Sequence, residues 1–416
     1  MKIQAVRGMK DLLPPEDRIW RHIERAAREL FACFGFDELC PPILEHTGLF
    51  TRGVGENTDI VEKEMYTFND RGGESLTMRP EATAGVLRAY IENKLHAAPG
   101  PHKFFTVGPM FRYERPQKGR LRQFHQINCE LLDDPGPHSD AEVMIMISQF
   151  MEKLGLNNVS LLLNSLGCRV CRPAYREKLL AFLIPRQNSL CPDCQRRLTV
   201  NPLRVLDCKI QSCREVTEEA PSLMEAICPE CRAHFSRTGS LLALAGVDFR
   251  LQPRLVRGLD YYQRTTFEVI GGDLGAQNAL AGGGRYDGLI ARLGGPDQPG
   301  LGFAIGLERL ALLLPPLPES GPDLMVAALG EAAYERLFPL VMTMRRNKRQ
   351  VDMPAPGKSL KSLLRRADRL GTGFVAIVGD HELAEEKIII KNLQTGVQKT
   401  IGLQALLSWQ LLETTD

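Results

Sequence analysis

A short basic segment contains the densest chemistry of the chain. Residues 111–126 read Phe-Arg-Tyr-Glu-Arg-Pro-Gln-Lys-Gly-Arg-Leu-Arg-Gln-Phe-His-Gln and hold four arginines and a lysine. Guanidinium groups are always charged and bind phosphate through two parallel hydrogen bonds. Apolar and polar residues alternate on both sides, over 104–110 and 124–132, which predicts two strands joined by a basic loop. The segment therefore predicts a hairpin that binds a polyanion; the alternative is an ordinary charged surface hairpin.

Three other segments carry residues of similar character. Residues 78–83 place an acid and a hydroxyl where a strand meets a helix, residues 257–262 place an arginine beside two tyrosines, and residues 300–309 lead a glycine-rich strand into a helix that carries an arginine. Each pattern is weak alone. Together they supply separated arginines, carboxylates and polar aromatic side chains, which suit a site for a nucleoside triphosphate and a small polar substrate.

Cysteines form a separate group. Three C-x-x-C pairs and two single cysteines lie close together in the sequence: Cys168 with Cys171, Cys191 with Cys194, Cys228 with Cys231, and Cys208 and Cys213. Pairs with this spacing are typical of tetrahedral zinc sites, since each pair supplies two thiolates to one ion. Eight ligands would fit two structural Zn²⁺ sites and four would fit one. Redox-active or inert thiols are the alternative.

Composition limits the class of protein. The chain has 416 residues and a net charge of +2, so any surface that binds nucleic acid must be local. No apolar run has the length needed to cross a membrane, and the first residues lack the apolar core of a secretory signal. We therefore expect a cytoplasmic protein with no membrane partner, whose cysteines are free thiols or metal ligands rather than disulfides.

Periodic patterns predict the elements that must position these residues. Apolar residues at helical spacing predict helices over 15–34, 81–95 and 143–154, and another that starts near Gly306. Short alternating or apolar runs predict strands over 75–79, 159–163, 249–251 and 265–270. Residues 167–246 are charged, cysteine-rich and helical in pattern, which indicates an insertion into the surrounding domain.

A proline-rich stretch, residues 315–322, predicts a stiff linker before a final domain. Beyond it, the continuous apolar runs 324–329 and 373–378 are typical of parallel strands covered on both faces, with helical patterns between them. The last part of the chain is therefore predicted to be a small α/β domain. The predicted divisions are 1–166 and 247–314 for the core, 167–246 for the insertion, 315–322 for the linker and 323–416 for the last domain.

The order of these segments resembles that of class II aminoacyl-tRNA synthetases and, among them, the histidyl-tRNA synthetases. The resemblance runs from Arg7-Gly-Met-Lys-Asp11 through three class-wide signatures (Pro41-Pro42, the segment from Phe111, and 302–309) and two histidine-specific ones (257–262 and 281–287). The last two discriminate best. The resemblance implies an α+β catalytic core around a mostly antiparallel sheet, a helical cysteine-rich insertion and a C-terminal α/β anticodon-binding domain.

The resemblance also implies a two-step reaction. Histidine and ATP give histidyl-adenylate, and the histidyl group then passes to the terminal adenosine of tRNA(His). Arg112 and Arg257 are the implied catalytic residues, because both would bind the α-phosphate and stabilise the transition state. The implied ATP-binding set is Arg112, Glu114, Phe124, Arg257 and Arg309, with Mg²⁺ on the triphosphate.

Histidine would be bound by a polar pocket. The implied set is Glu81, Thr83, Arg112, Gln126, Glu130, Tyr261, Tyr262 and Tyr286. Glu81 and Thr83 would accept hydrogen bonds from the ammonium group, while Glu130 and Tyr262 would serve the two ring nitrogens. Such a site leaves its polar groups unpaired with a wrong amino acid, so we expect no editing domain. Alternatively, Glu81 could be a helix-start acid and Tyr261 a core residue.

Contacts with tRNA and with a second subunit are implied as well. The tRNA-binding set is Gln117, Lys118, Arg122, Arg365 and Arg369. The first three lie in the basic loop and would face the acceptor end; the other two lie four residues apart on a predicted helix of the anticodon-binding domain. For these two, a solvated cationic helix face is the alternative. Pro42 would lie near the interface of a homodimer, and no role is implied for Arg115 or Arg120.

Two other functions compete with the expected histidine–tRNA ligase. A catalytically inactive paralogue would sense histidine and regulate its biosynthesis, but such relatives generally lack the C-terminal domain and the signature residues that this chain has. Another class II synthetase is disfavoured by the two histidine-specific segments.

Overall fold

The computed structural model describes residues 3–55, 58–257, 259, 261–272, 278–317 and 321–412. Gly258 and Asp260 of the histidine-specific segment, and residues 318–320 of the predicted linker, lie outside the described residues. Contacts divide the chain into two compact units, Met1–Pro315 and Pro316–Asp416.

A mostly antiparallel sheet forms the centre of the first unit, as predicted. The strands of this unit are β1 (Asp37–Glu38), β2 (Leu44–His46), β3 (Tyr66–Asn69), β4 (Ser75–Met78), β5 (His102–Phe111), β6 (Gln123–Leu132), β7 (Val159–Ser165), β8 (Phe249–Leu251), β9 (Gln263–Gly271), β10 (Ala279–Arg285) and β11 (Gly300–Gly306). Among the described residues, eight of them form one sheet in the order β1-β5-β6-β11-β10-β9-β7-β8, and β2-β4-β3 form a small second sheet. In the large sheet only the outer pairs β1–β5 and β7–β8 are parallel.

The first unit also contains eleven α-helices among its described residues. They are α1 (Glu16–Cys33), α2 (Thr47–Val54), α3 (Thr83–Glu92), α4 (Pro137–Lys153), α5 (Cys171–Leu183), α6 (Pro192–Val200), α7 (Gln211–Val216), α8 (Leu223–Ala226), α9 (Pro229–Leu244), α10 (Leu289–Arg292) and α11 (Leu307–Leu313). The apolar stripe of α1 is buried as predicted: Phe31 packs against Phe150 of α4, with ring centroids 5.5 Å apart, and against Phe303 of β11.

The predicted basic hairpin is confirmed as β5 and β6, which pair from His102 with Leu132 to Phe111 with Gln123. The helix predicted over 81–95 is shorter, because the Glu81 carboxylate accepts hydrogen bonds from the first backbone N–H groups and α3 begins at Thr83. It ends before Lys94, whose φ of 52° is left-handed.

The cysteine-rich stretch is helical, as predicted, and contains α5 to α9. The chain leaves the sheet at β7 and returns at β8, and these two strands are parallel neighbours. The last helix, α9, packs against α4, and its Phe235 and Leu242 join the buried cluster of the main sheet. The cysteine-rich stretch is thus joined to the rest of the first unit by packing as well as by its two ends.

The second unit is a small α/β domain, as predicted. Its strands are β12 (Leu324–Ala328), β13 (Val351–Asp352), β14 (Phe374–Val378), β15 (Lys387–Asn392) and β16 (Gln398–Gly402), and its helices are α12 (Glu331–Arg346), α13 (Leu360–Arg369) and α14 (Asp380–Ala384). The sheet order is β13-β12-β14-β15-β16, with β12 and β14 parallel. Met325 and Val326 are both fully buried although they point to opposite faces, because helices cover both faces. Among the described residues, no helix of either unit is long and apolar enough to span a bilayer.

Candidate active site

A cavity of about 500 Å³ lies against strands β6, β9, β10 and β11. Its walls include every residue that the sequence predicts to bind ATP: Arg112, Glu114, Phe124, Arg257 and Arg309. They also include the predicted histidine-binding residues except Glu130, which instead contacts two of them, Thr83 and Tyr286. Segments that are distant in sequence therefore converge on one cavity.

Strand β6 supplies several of these side chains because successive residues of a strand point to opposite faces. Phe124, Gln126 and Asn128 are spaced by two and line the cavity. Ile127 and Cys129, which alternate with them, are fully buried in the core of the sheet. Strand β6 therefore has one polar face, and this face places the side chains of the basic hairpin in the cavity.

Buried acids and hydroxyls form one end of the site. Thr83 Oγ1 donates to Glu130 Oε1 over 2.7 Å, and the Tyr286 hydroxyl donates to Glu130 Oε2. The carboxylate of Glu81 accepts hydrogen bonds from the backbone N–H groups of Thr83 and Ala84, over 2.8 and 2.9 Å. Glu81 is thus a helix-start acid and a cavity residue at once, so its two interpretations from sequence do not exclude each other.

Burial controls the ionisation of these acids. It raises the pKa of Glu130 to about 8, although the hydrogen bonds from Tyr286 and Thr83 favour the ionised form. Burial also raises the pKa of Glu81. The hydrogen bonds that this carboxylate accepts from N–H groups and the positive charge of Arg112 act in the opposite direction and lower it. A ligand that brings a positive charge or N–H donors would favour both carboxylates in their ionised state.

Three tyrosines pack together beside the acids. The ring centroid of Tyr261 lies 4.7 Å from that of Tyr262 and 5.7 Å from that of Tyr286. Burial raises the pKa of all three phenols, so they stay neutral near pH 7 and keep a hydroxyl donor. Tyr261 is buried but also lines the cavity.

Glycines of β10 and β11 make room for two functional side chains. A Cβ on Gly302 would overlap Oε2 of Glu130, and a Cβ on Gly282 would overlap the guanidinium of Arg257. Any larger residue would displace the carboxylate or the guanidinium. Both glycines lie within strands, where they provide space for the neighbouring side chains.

Arg112 is held from two sides. Its Nε donates to the carbonyl of Pro80 over 2.8 Å, and its guanidinium lies 5.1 Å from the ring centroid of Phe124. Burial lowers the pKa of Arg112, but an arginine still remains charged near neutral pH. Nη1 of Arg112 also lies 3.9 Å from Oε1 of Glu114, so the guanidinium lies beside a carboxylate of the same cavity wall.

Arg257 forms an ion pair with Glu268 of β9, with 2.7 Å between Nη1 and Oε1. Several buried polar atoms of the cavity have no hydrogen-bond partner among the described residues: Nε of Arg257, Oε1 of Gln126 and Nδ2 of Asn128. Buried polar atoms without partners are costly and are usually satisfied by a ligand or water. The cavity therefore has the features of a polar binding site.

Arg309, in the first turn of α11, donates to the carbonyl of Ala279. Arg120, for which the sequence indicates no role, forms an ion pair with the carboxylate of Glu114. Burial lowers the pKa of Arg309, and the nearby charge of Arg120 acts in the same direction. Several cations thus share a small volume, which favours a polyanionic ligand.

The tip of the basic loop is a tight turn in which Gln117 and Arg120 exchange backbone hydrogen bonds of 3.0 and 2.9 Å. Gln117 and Lys118 are exposed. Arg122 instead stacks on Tyr113, 3.8 Å from its ring centroid, and donates to the carbonyl of Glu114 over 3.1 Å. None of the three predicted tRNA-binding residues of the loop lines the cavity, and Arg122 holds the loop together.

A buried charge network supports the second histidine-specific segment. Nε of Arg285 lies 2.6 Å from Asp140 Oδ1, and Nε2 of His234 lies 2.7 Å from the other oxygen. Arg285 and Asp140 are fully buried. Because Tyr286 follows Arg285 directly, the network fixes the end of β10, from which this tyrosine reaches Glu130.

The eight cysteines of the insertion separate into two sets. The proximal set consists of Cys168, Cys171, Cys228 and Cys231, and the distal set consists of Cys191, Cys194, Cys208 and Cys213. Within each set the four Sγ atoms all lie within 4.8 Å of one another. Sequence spacing did not indicate that the first and third C-x-x-C pairs belong together.

The other predicted contact residues lie on the surface. Pro42 is exposed, as are Arg365 and Arg369 on α13. Among the described residues, neither of these two arginines forms an ion pair, whereas Arg366, between them, pairs with Asp352 over 2.7 Å.

Some residues of the cavity were missed by sequence reasoning. They are Asn128, Asp207, Lys209 and Glu268. A signal existed for Glu268, because an acid inside an apolar strand needs a partner. None existed for Asp207 and Lys209, which reach the cavity from the insertion.

Comparisons with known proteins agree with this geometry. A family model described as histidyl-tRNA synthetase matches residues 8–310, and one described as anticodon binding domain matches residues 323–413. The histidine–tRNA ligases of Trichlorobacter lovleyi and Nitratidesulfovibrio vulgaris are each 51% identical over 406 residues, which cover 97% of this chain and 97% of theirs.

A solved structure gives the same result. The apo histidyl-tRNA synthetase of S. aureus superposes with a TM-score of 0.83 at 35% identity, covering 98% of this chain and 99% of that one. The similarity spans both the catalytic and the anticodon-binding parts, which favours a ligase over the regulatory paralogue. The chain belongs to the histidyl-tRNA synthetase family.

Proposed function

We propose that this protein is a histidine–tRNA ligase that activates histidine with ATP and transfers it to tRNA(His). The observation that carries the proposal is one cavity in which Arg112, Arg257 and Arg309 meet a buried pocket of acids and phenols. We further propose that residues 1–166 and 247–314 are the catalytic core, 167–246 the insertion, 315–322 the linker and 323–416 the anticodon-binding domain. A cytoplasmic homodimer with Pro42 near its interface completes the proposal.

Activation would proceed by attack of the histidine carboxylate on the α-phosphorus of ATP. A bond forms between the carboxylate oxygen and phosphorus, and the bond to the β-phosphate oxygen breaks, so that pyrophosphate leaves. Arg112 and Arg257 would bind both anions and stabilise the negative charge of the transition state. Arg309, Phe124 and Glu114 would hold the nucleotide. In the second step the terminal hydroxyl of tRNA attacks the carbonyl carbon, and AMP leaves.

Magnesium fits this cavity, because the carboxylates of Glu114 and Glu268 line it and oxygen ligands suit Mg²⁺; each carboxylate would then be shared between the ion and its arginine, Arg120 or Arg257. When bound to the triphosphate, the ion would neutralise the leaving pyrophosphate. The thiolates of the insertion suit a softer ion, and for them we propose zinc.

Histidine selectivity would come from the buried acids and phenols. Glu81 and Thr83 would accept hydrogen bonds from the ammonium group of histidine, and Gln126 would lie close to it. Glu130 and Tyr262 would bind the imidazole. Tyr261 and Tyr286 would enclose the ring. A competing amino acid without an imidazole would give the buried carboxylate of Glu130 no N–H donor in addition to the hydroxyls of Thr83 and Tyr286, which disfavours its binding strongly.

Pyrophosphate exchange into ATP tests the proposal. We expect exchange that depends on histidine, with the other amino acids supporting it roughly 10⁴-fold less well. Exchange needs no tRNA, so it isolates activation from transfer. Absence of exchange with histidine, at a histidine affinity measurable by calorimetry, would favour the regulatory paralogue instead.

Binding of tRNA should depend steeply on salt. Replacing both Arg365 and Arg369 by alanine is expected to reduce the slope of log Kd against log salt by about 1.5, because each phosphate contact contributes about 0.7 to 0.9. The measurement is a filter-binding titration with tRNA(His) at several salt concentrations.

Arg336→Ala is the matched control, because this exposed arginine of the same domain already pairs with Glu386 over 2.8 Å. It should leave the slope unchanged. An unchanged slope in the double variant would assign Arg365 and Arg369 to a solvated helix face.

A further inference from the structure

The two cysteine sets have the geometry of single-ion sites. Sγ atoms are 3.5 Å apart in Cys168 and Cys171 and 3.9 Å apart in Cys191 and Cys208, too far for a disulfide bond of about 2.05 Å. Two thiolates on one zinc ion, each about 2.3 Å from it, lie about 3.8 Å apart. Because all four Sγ atoms of a set lie within 4.8 Å, each set surrounds the volume of one ion and not of a cluster of several irons.

The backbone around each set supports thiolates. The N–H of Cys228 donates to Sγ of Cys171 over 3.1 Å, and the N–H of Cys191 donates to Sγ of Cys213 over 3.2 Å. Hydrogen bonds of this kind orient metal ligands and stabilise their charge. Gly167 has a φ of +62°, and a Cβ there would lie 2.9 Å from Cβ of Cys171, so the turn before the proximal set requires glycine.

The proximal set closes the base of the insertion. Cys168 and Cys171 follow β7, while Cys228 and Cys231 begin α9, which packs onto the catalytic core. An ion held by all four cysteines would join the segment where the chain leaves the sheet to the segment where it returns.

The distal set lies next to the catalytic cavity. Cys208 is flanked by Asp207 and Lys209, both of which line the cavity and form an ion pair of 2.9 Å. Cys194 lies on α6, whose Arg196 pairs with Glu62 of the catalytic core over 2.9 Å. The distal set therefore lies between α6, which contacts the catalytic core through Arg196, and the two cavity residues Asp207 and Lys209.

We propose that each set binds one zinc ion, two per chain, and that the distal ion holds Asp207 and Lys209 in the wall of the catalytic cavity. Thiolate ligands at tetrahedral spacing select zinc over magnesium or calcium. The ammonium group of Lys209 would then add a cation for the triphosphate at the cavity wall. This second part rests on the proposed ligase function, whereas the metal content does not.

Elemental analysis of the purified full-length protein tests the ions. We expect two zinc ions per chain, one in Cys171→Ser, one in Cys213→Ser, and two in the control Cys33→Ser, whose thiol is exposed and belongs to neither set. A wild-type protein without zinc, with iron in its place, or with disulfides inside the sets by mass spectrometry would overturn the proposal.

Kinetics of histidine-dependent pyrophosphate exchange test the role of the distal ion. Cys213→Ser and Lys209→Ala are each expected to raise the KM for ATP about tenfold, the effect of losing one hydrogen bond to a charged group. Lys209→Ala should keep both zinc ions, so it gives an answer even if Cys213→Ser fails to fold. The control Lys178→Ala, an exposed lysine of α5, should leave the KM unchanged.

An unchanged KM in Lys209→Ala, or in a folded Cys213→Ser variant that has lost one zinc ion, would overturn the role of the distal ion. A wild-type protein with two zinc ions but no exchange would overturn the ligase function and leave the metal sites in place.

Discussion

Replacing Arg112 by alanine is expected to lower the kcat of histidine-dependent pyrophosphate exchange by about 10³-fold, the effect of removing a group that stabilises transition-state charge. The side chain is fixed by Pro80 and Phe124 before any ligand arrives, so its guanidinium needs little reorganisation. Arg112→Lys keeps the charge but loses the two-pronged geometry, and we expect it to recover only part of the rate. Steady-state kinetics with saturating ATP and histidine measure these effects.

Arg115→Ala is the matched control for Arg112. This arginine lies three residues away, is exposed and does not line the cavity. Its replacement should leave exchange unchanged. If Arg112→Ala retained wild-type kcat with native circular dichroism, the assignment of Arg112 to the transition state would be wrong.

Replacing Glu130 by glutamine is expected to lower kcat/KM for histidine by about 10²-fold, because a buried charged acceptor for the imidazole is lost. Glutamine nearly matches the volume of the acid, so one of the two hydroxyls, of Thr83 or Tyr286, can still donate to the amide oxygen while the other accepts from the amide nitrogen. For the wild type, kcat/KM for histidine should rise with pH up to about 8, the pKa of Glu130. The variant should not show this rise. Glu152→Gln, an exposed acid on α4, is the control.

The same carboxyl group should make the free energy of unfolding fall with rising pH, whereas it makes kcat/KM rise. The pKa of Glu130 is about 8 in the folded protein and about 4.3 when unfolded, so the folded state binds more protons between these values. The free energy of unfolding contributed by this group therefore falls as pH rises from about 4 to 8. Urea titrations at several pH values should give Glu130→Gln a weaker pH dependence than the wild type. An equal dependence would show that Glu130 ionises normally.

Patterns of local spacing predicted much of the fold. The alternation on either side of the basic loop predicted β5 and β6, and the apolar runs near Met325 and Ile377 predicted two parallel strands. Each of these signals depends only on burial on one or both faces of an element. The resemblance to a family then brought together the arginines and acids that line the cavity, which periodicity alone could not do.

Contacts between distant segments could not be predicted in this way. Even within one loop, the ion pair of Arg120 with Glu114 depends on how the chain turns, and the sequence shows only that both residues are charged. The spacing of the C-x-x-C pairs identified candidate ligands but not which pairs meet, because that depends on the path of the insertion. Asp207 reaches the cavity by the same path. Tertiary packing, rather than propensity, decides such contacts.

The position of the insertion between β7 and β8 has a kinetic consequence. Leu163 of β7 pairs with Phe267 of β9, 104 residues later in the chain. The entropy lost on closing a loop grows with its length, and contacts between distant residues slow folding. Helices of the insertion form from local contacts, and its two ends emerge at neighbouring strands. We therefore expect a folded insertion to act as a short connector, so that the sheet bearing the proposed catalytic residues closes faster once the insertion has formed.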